Sequence, residues 1–394
     1  MVQNMYDVYL QKPLRLKVKI IVSIILMITL VILILLKSNS NFAEFISQNI
    51  SRHWISIFGR FFSEFDFSVF EFIIAFSVIF TIVTVVRIIM NLKSKTKLKS
   101  LNSFLIFIIY VLSIIVIYTT TASFAYNRDD LELDVYLGDI ETSELVNISR
   151  YFLQDFNYII NNSELLQRDE NSNVICPYSY SELAKIIQSE FSRLDSTYFN
   201  SYTPKPKPIL SSWLMSQMHI EGVAFAPTGE ANFNTKIPAY SLPFTIAHEL
   251  AHTKGIMRED EANLVATYIT LTSENEYLRY SAYNKIYPQL LSAIYMLSRD
   301  DYAEMSAYIT QDVYTERANA NDFWEKYSLF ADISEFFNDL YLKLSGVEEG
   351  TDSYNDNPII IIPPNQPPED PPIIIYTFSR TQRLIFNIYY NLQN

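Results

Sequence analysis

One cysteine in 394 residues, Cys176, excludes an internal disulfide, and it stands too far from the N-terminus for lipidation there. A lone thiol of this kind is expected to act as a small buried side chain. Histidine is nearly as scarce, with four in the chain. Positive charge runs short after residue 122. Residues 123–394 hold 18 Lys and Arg against 38 Asp and Glu, a net of −20. Residues 1–122 hold 12 against 5, a net of +7. The acidic part is repelled by phosphate backbones, which argues against a nucleic-acid role, and its charge serves solubility first. No small-residue cleavage site follows the first apolar run, so that run reads as a retained anchor and not a signal peptide.

Long apolar runs are what the first 122 residues have. Residues 18–36 are broken only by Lys19 at the start and by Ser23 and Thr29. Residues 67–90 carry Glu71 near one end and Arg87 near the other, and residues 101–122 carry no charge. Each is long enough to cross a bilayer as a helix. Lys12, Arg15, Lys17 and Lys19 flank the first run, and Lys93, Lys95, Lys97 and Lys99 lie between the second and third. The loop at 37–66 mixes Lys37, Arg52 and Arg60 with Glu44, Glu64 and Asp66. The Lys/Arg bias expects a cytoplasmic N-terminus, a multi-pass cell-membrane protein and an extracytoplasmic domain over 123–394.

Two of the four histidines sit in His248-Glu249-Leu250-Ala251-His252. On a helix, positions four apart share a face, so both imidazoles can reach one ion, while Glu249 stands beside a water on that ion. The pattern expects Zn²⁺ held by His248 and His252, with Glu249 as the catalytic base of a peptidase. Pro243 and Thr245 mark a helix start and Gly255 a helix stop around the motif.

Zinc in a hydrolytic site usually takes a third protein ligand. Glu259 and Glu261 are the candidates, and they lie about 200° apart around a helix, so one ion takes only one of them. The small residues Ala262 and Ala266 would let the Glu259 side approach the histidine helix. Asn263, four after Glu259, could orient a ligand from behind. The face argument favours Glu259, with Glu261 as the alternative, and either would otherwise be a first-turn acid at a helix N-terminus.

Glu259-x-x-Ala262-Asn263 resembles the element that carries the third ligand in several gluzincin-type metallopeptidases. A longer set of residues resembles one family, domain of unknown function 3810, membrane-anchored zinc-peptidase-like proteins of bacteria. It runs through Pro206-Lys207-Pro208, Gly222-Val223-Ala224-Phe225 and Thr228-Gly229-Glu230-Ala231-Asn232. It continues through residues 242–252, Arg258 to Asn263, and Arg279-Tyr280-Ser281, within about residues 100–354. The resemblance implies a zincin fold in an extracytoplasmic domain and brings no known substrate with it. Lys254 departs from the apolar residue that the extended zincin pattern prefers there.

The expected architecture is α+β and mostly helical: three transmembrane helices, then a gluzincin-type zincin domain. Residues 123–139 read as a polar exit from the membrane. Helical spacing runs over 143–166, and Ser179 to Glu182 resembles a capping box that opens another helix. Residues 202–208 read as extended linker, and 220–234 as strand with turns, an edge able to pair with a peptide. Glu230 and Asn232 would line that groove or form a polar turn. Tyr268, Tyr280 and Tyr283 read as core, with no oxyanion donor named. Further helices are expected near 276–298, 302–313, 316–345 and 377–392. A Pro/Ile-rich arm at 355–376 reads as an inserted hairpin whose isoleucines need cover, by the domain or a partner protein. The expected function is hydrolysis of an extracytoplasmic peptide or protein. A membrane sensor, or a catalytically silent scaffold on the same fold, is the alternative.

Overall fold

The computed structural model describes residues 2–131, 136, 138, 140–193, 202–347, 350–351, 359–361 and 375–393. The chain divides into two compact units, Met1–Asp129 with Phe225–Gly229, and Asp130–Ala224 with Glu230–Asn394.

The first unit is helical. It holds α1 (Val2–Lys37), α2 (Ser40–Ile46), α3 (Arg52–Phe62), α4 (Val69–Lys93) and α5 (Lys97–Thr121). Three stretches are long and apolar enough to cross a membrane: 15–37, 69–93 and 97–121. These helices mark the chain as membrane-associated. α5 packs on both α1 and α4, where Lys19 Nζ donates to Asn102 Oδ1 (2.5 Å) and the Phe80 and Tyr110 rings lie 4.5 Å apart. The 37–66 segment, read as a loop, is instead α2, a π turn and α3. Ala43, Ile46 and Ile55 are apolar residues that this coiling buries. The expected polar exit begins with a buried 3-10 turn at Ser123–Tyr126, because Phe124 packs on Ala43 and Ile46. Trp54 donates its indole N–H to the Pro227 carbonyl (3.0 Å) within the same unit.

The second unit wraps helices around a three-stranded sheet. Its elements begin with α6 (Thr142–Asn162), α7 (Tyr180–Glu190), β1 (Lys207–Pro208), α8 (Ser212–Gln217), β2 (Gly222–Phe225) and β3 (Glu230–Phe233). Then come α9 (Leu242–Thr253), α10 (Glu259–Leu271), α11 (Glu276–Leu297), α12 (Arg299–Ser306), α13 (Gln311–Lys326) and α14 (Ala331–Ser345). β4 (Ile359–Ile361) pairs antiparallel with β5 (Ile375–Thr377), and α15 (Arg380–Gln393) closes the chain. α7 opens with the capping box, Ser179 and Glu182 each satisfying the other's backbone N–H. The strand order β1-β3-β2 puts β3 in the middle and β2 on an edge. β1 runs parallel to β3, Lys207 opposite Asn232.

The 202–208 segment is tied down more firmly than a linker. The buried Lys207 ammonium meets Glu230 at 2.7 Å, with both side chains at or below 2% exposure. Lys254 Nζ reaches the Tyr202 carbonyl and Thr203 Oγ1, at 2.5 and 2.7 Å. That explains a buried lysine where the zincin pattern prefers an apolar residue. The helical stretch at 316–345 breaks in two, because Gln217 takes the Leu329 and Phe330 N–H groups onto its side-chain and backbone oxygens. The stretch at 302–313 breaks after Ser306, and Ser298 caps α12. The rest of the Pro/Ile arm, and the cover expected over its isoleucines, lie outside the described residues.

Candidate metal centre

α9 can be buried almost whole because its motif spacers are apolar: Ile246, Ala247, Leu250 and Ala251 are all at 0% exposure. It ends where Gly255 takes φ 87°, a left-handed conformation that a side chain resists. α10 starts four residues later and packs on α9, and its small residues Ala262 and Ala266 are fully buried. That approach brings Glu259 to the histidine pair.

His248 Nε2 lies 3.1 Å from His252 Nε2 and 3.1 Å from Glu259 Oε2, and His252 Nε2 lies 3.6 Å from Glu259 Oε2. Among the described residues these three form the group able to hold a metal ion. Ligands bound tetrahedrally at about 2.0–2.1 Å stand about 3.3 Å from one another. The spacing therefore fits one zinc-sized ion.

The tautomers agree. His252 Nδ1 faces the Ile256 carbonyl at 2.6 Å, and a carbonyl only accepts, so Nδ1 carries the hydrogen. His248 Nδ1 pairs with Asn263 Oδ1 at 3.0 Å in the same way. Both Nε2 atoms then present lone pairs to each other and to a carboxylate. Such a trio needs a cation, a proton or a metal, at its centre.

The electrostatics say the same. Burial works against charge on His252, but Glu259 outweighs it and pushes the imidazole from 6.5 up to about 9. Burial also opposes ionisation of Glu259, yet the two histidines hold it well below the usual carboxylate range. Glu249 goes the other way: burial raises it, and the histidines offset only part. A carboxylate with that bias is suited to take up a proton.

Glu249 is positioned by β2. The Ala224 N–H donates to its carboxylate. A Cβ on Gly222 would stand 2.6 Å from Glu249 Cγ and Oε1. Gly222 is thus bare because the glutamate lies against it. Reading the sequence placed Gly222 in a motif without assigning this role. The signal was a glycine in a strand, which often marks a close approach.

Glu261 is elsewhere. Its Oε1 accepts the Leu131 N–H at 2.6 Å and lies 3.9 Å from Arg380 Nη1, at 0% exposure. Glu230 is in the ion pair with Lys207, and Asn232 Nδ2 donates to the Val223 carbonyl beneath β2 (3.1 Å). Neither arrangement is a solvent-facing groove wall. The Tyr280 hydroxyl is engaged by Glu316 and Arg168, and the Tyr283 hydroxyl donates to Asp155 at 2.6 Å. Both belong to the core. Cys176 is half-buried, its Sγ donating to the Tyr178 carbonyl at 3.3 Å.

The chain is thus a mostly helical, membrane-associated protein with a His/His/Glu cluster in its second unit. Residues 46–362 match one family model, Protein of unknown function (DUF3810), and the chain belongs to that family. No curated protein and no solved structure matches it.

Proposed function

We propose that this protein is a membrane-anchored zinc metallopeptidase with a gluzincin-type zincin domain, acting on peptides or proteins outside a bacterial cell membrane. The observation that carries this reading is the triangle of donor atoms, 3.1, 3.1 and 3.6 Å on a side, with Glu249 held beside it by β2. His248, His252 and Glu259 would hold the ion. When bound, Zn²⁺ supplies Lewis acidity and makes water acidic enough to lose a proton near neutral pH. Glu249 accepts that proton on its carboxylate and passes it to the leaving amine. Ile256 and Asn263 keep the imidazoles turned so that their lone pairs face inward. The half-buried residues of edge strand β2 suit pairing with an extended substrate.

The full chain in detergent should cleave members of a defined peptide pool, and a chelator should stop it. Glu249→Gln should keep about one zinc per chain, as a single site requires, yet cleave nothing. Undiminished cleavage by Glu249→Gln would overturn the reading. For orientation, a protease outside sealed, wall-less cells should leave an N-terminal fragment of roughly 120 residues, the length three spans require. A protected second unit would reverse the topology.

A further inference from the structure

Beside Gly222 stands a carboxylate that the chemistry above does not use. Glu221 is partly exposed just before β2, and its backbone carbonyl accepts the Asn234 N–H at 2.8 Å. Its side chain is fixed: Thr245 Oγ1 donates to Oε2 at 2.7 Å. Thr245 and Glu249 are four apart on α9, so they share a face one helical turn, about 5.4 Å, from each other. The neighbouring Tyr240 hydroxyl is pushed up to about 12, by burial first and by the negative charge of Glu221 second. Among the described residues, no lysine, arginine or histidine forms an ion pair with Glu221. A partly exposed acid held beside the motif helix without an ion-pair partner is an unfilled half of a salt bridge.

We infer that Glu221 receives a positive charge of the substrate, so that the site selects peptides with an ammonium or guanidinium group within one or two residues of the scissile bond. This rests on the peptidase reading. The reach follows from geometry: one helical turn on α9 spans about 5.4 Å, and an extended peptide advances about 3.3 Å per residue. A charge at that range is either a free N-terminal amine or a Lys or Arg side chain, and the chemistry at Glu221 is the same for both. The hydrogen bond from Thr245 lowers the cost of orienting the acid, because the carboxylate is already placed before substrate arrives.

The test uses the zinc-loaded full chain and matched peptides. One arm compares free with acetylated N-termini. The other compares Lys with norleucine, and Arg with citrulline, at each position flanking the cut. The wild type should favour the cationic member in one arm by about 10- to 100-fold in kcat/KM, the range for a hydrogen bond to a charged group. Glu221→Gln should collapse that ratio, and Glu221→Lys should turn it toward acidic residues at the same position, with zinc content unchanged in both. A cationic preference that survives Glu221→Gln, or cleavage by the wild type with no preference, overturns this inference and leaves the peptidase reading intact. Absence of any zinc-dependent cleavage by the wild type removes both.

Discussion

Exchanging Glu259 and Glu261 separately for alanine should separate metal binding from folding, although the two stand two residues apart at the start of α10. Glu259 Oε2 is within 3.6 Å of both Nε2 atoms. Zinc bound by four ligands is worth about 10–16 kcal/mol, so one ligand is worth roughly 3–4 kcal/mol. Glu259→Ala should therefore weaken zinc binding by about 10²- to 10³-fold. Glu261 touches no metal donor. It satisfies the Leu131 N–H at full burial and lies near Arg380. From sequence, its loss amounts to a small helix-terminus effect. The structure makes the loss larger, because a stranded buried N–H costs roughly 1–3 kcal/mol. Glu261→Ala should thus lower the melting temperature of the metal-free protein while zinc affinity changes less than about tenfold, under 1.4 kcal/mol. The assay is chelator competition on the full chain in detergent, beside thermal unfolding of the metal-free form. If Glu261→Ala loses zinc and Glu259→Ala keeps it, the ligand set is wrong.

Gly222→Ala should leave zinc bound and cut hydrolysis, because its Cβ displaces the Glu249 carboxylate it would meet at 2.6 Å; undiminished kcat in a zinc-loaded Gly222→Ala protein would show that the glutamate has room elsewhere. Lys207→Met removes the ammonium 2.7 Å from buried Glu230 and should cost about 3–5 kcal/mol in denaturant unfolding, most of it recovered in a Lys207→Met/Glu230→Leu double variant. In the metal-free protein, His252 is raised from 6.5 to about 9, so its share of stability is whole below 6.5 and lost as pH climbs through about 9. Glu259 is depressed from 4.5, so its share is present above 4.5 and lost as pH falls toward its folded value. Melting temperatures of the metal-free form should peak between 4.5 and 6.5 and decline toward 9, and a flat profile across that alkaline limb would refute the pairing.

Much of the fold was legible because its signals are periodic or positional. Three long apolar runs set the candidate spans, and the capping box at Ser179 set the start of α7. The misreadings share a cause. The 37–66 segment carries charges of both signs, which reads as loop, while the burial of Ala43, Ile46 and Ile55 comes only from packing on neighbouring helices. Pro and Lys alternation at 202–208 reads as linker, because nothing local shows that Lys207 faces a carboxylate 23 residues away. The break at 327–330 depends on Gln217, more than 100 residues earlier. Long-range hydrogen bonds decide such points, and a window of sequence does not contain them.

The approach of His248, His252 and Glu259 was more legible than its surroundings for a reason of distance along the chain. His248, His252 and Glu259 fall within twelve residues, so the helix period and two small residues suffice to bring them together. Glu261 shows where that logic stops. The wheel excludes it from the histidine side, but it cannot say that Leu131, 130 residues upstream, waits on the other side. Glu221 and Gly222 lie beyond the same limit. They precede the motif by more than 25 residues, and their meaning comes from contacts with the side chains of Thr245 and Glu249 on α9. An acid next to a glycine is unremarkable in sequence. Beside Thr245 and Glu249 it becomes a fixed charge next to the His/His/Glu cluster's helix. On the proposed peptidase reading, selectivity is set by the residues of β2 and its flank and not by the five-residue motif, so function has to be argued from the site and not from the motif alone.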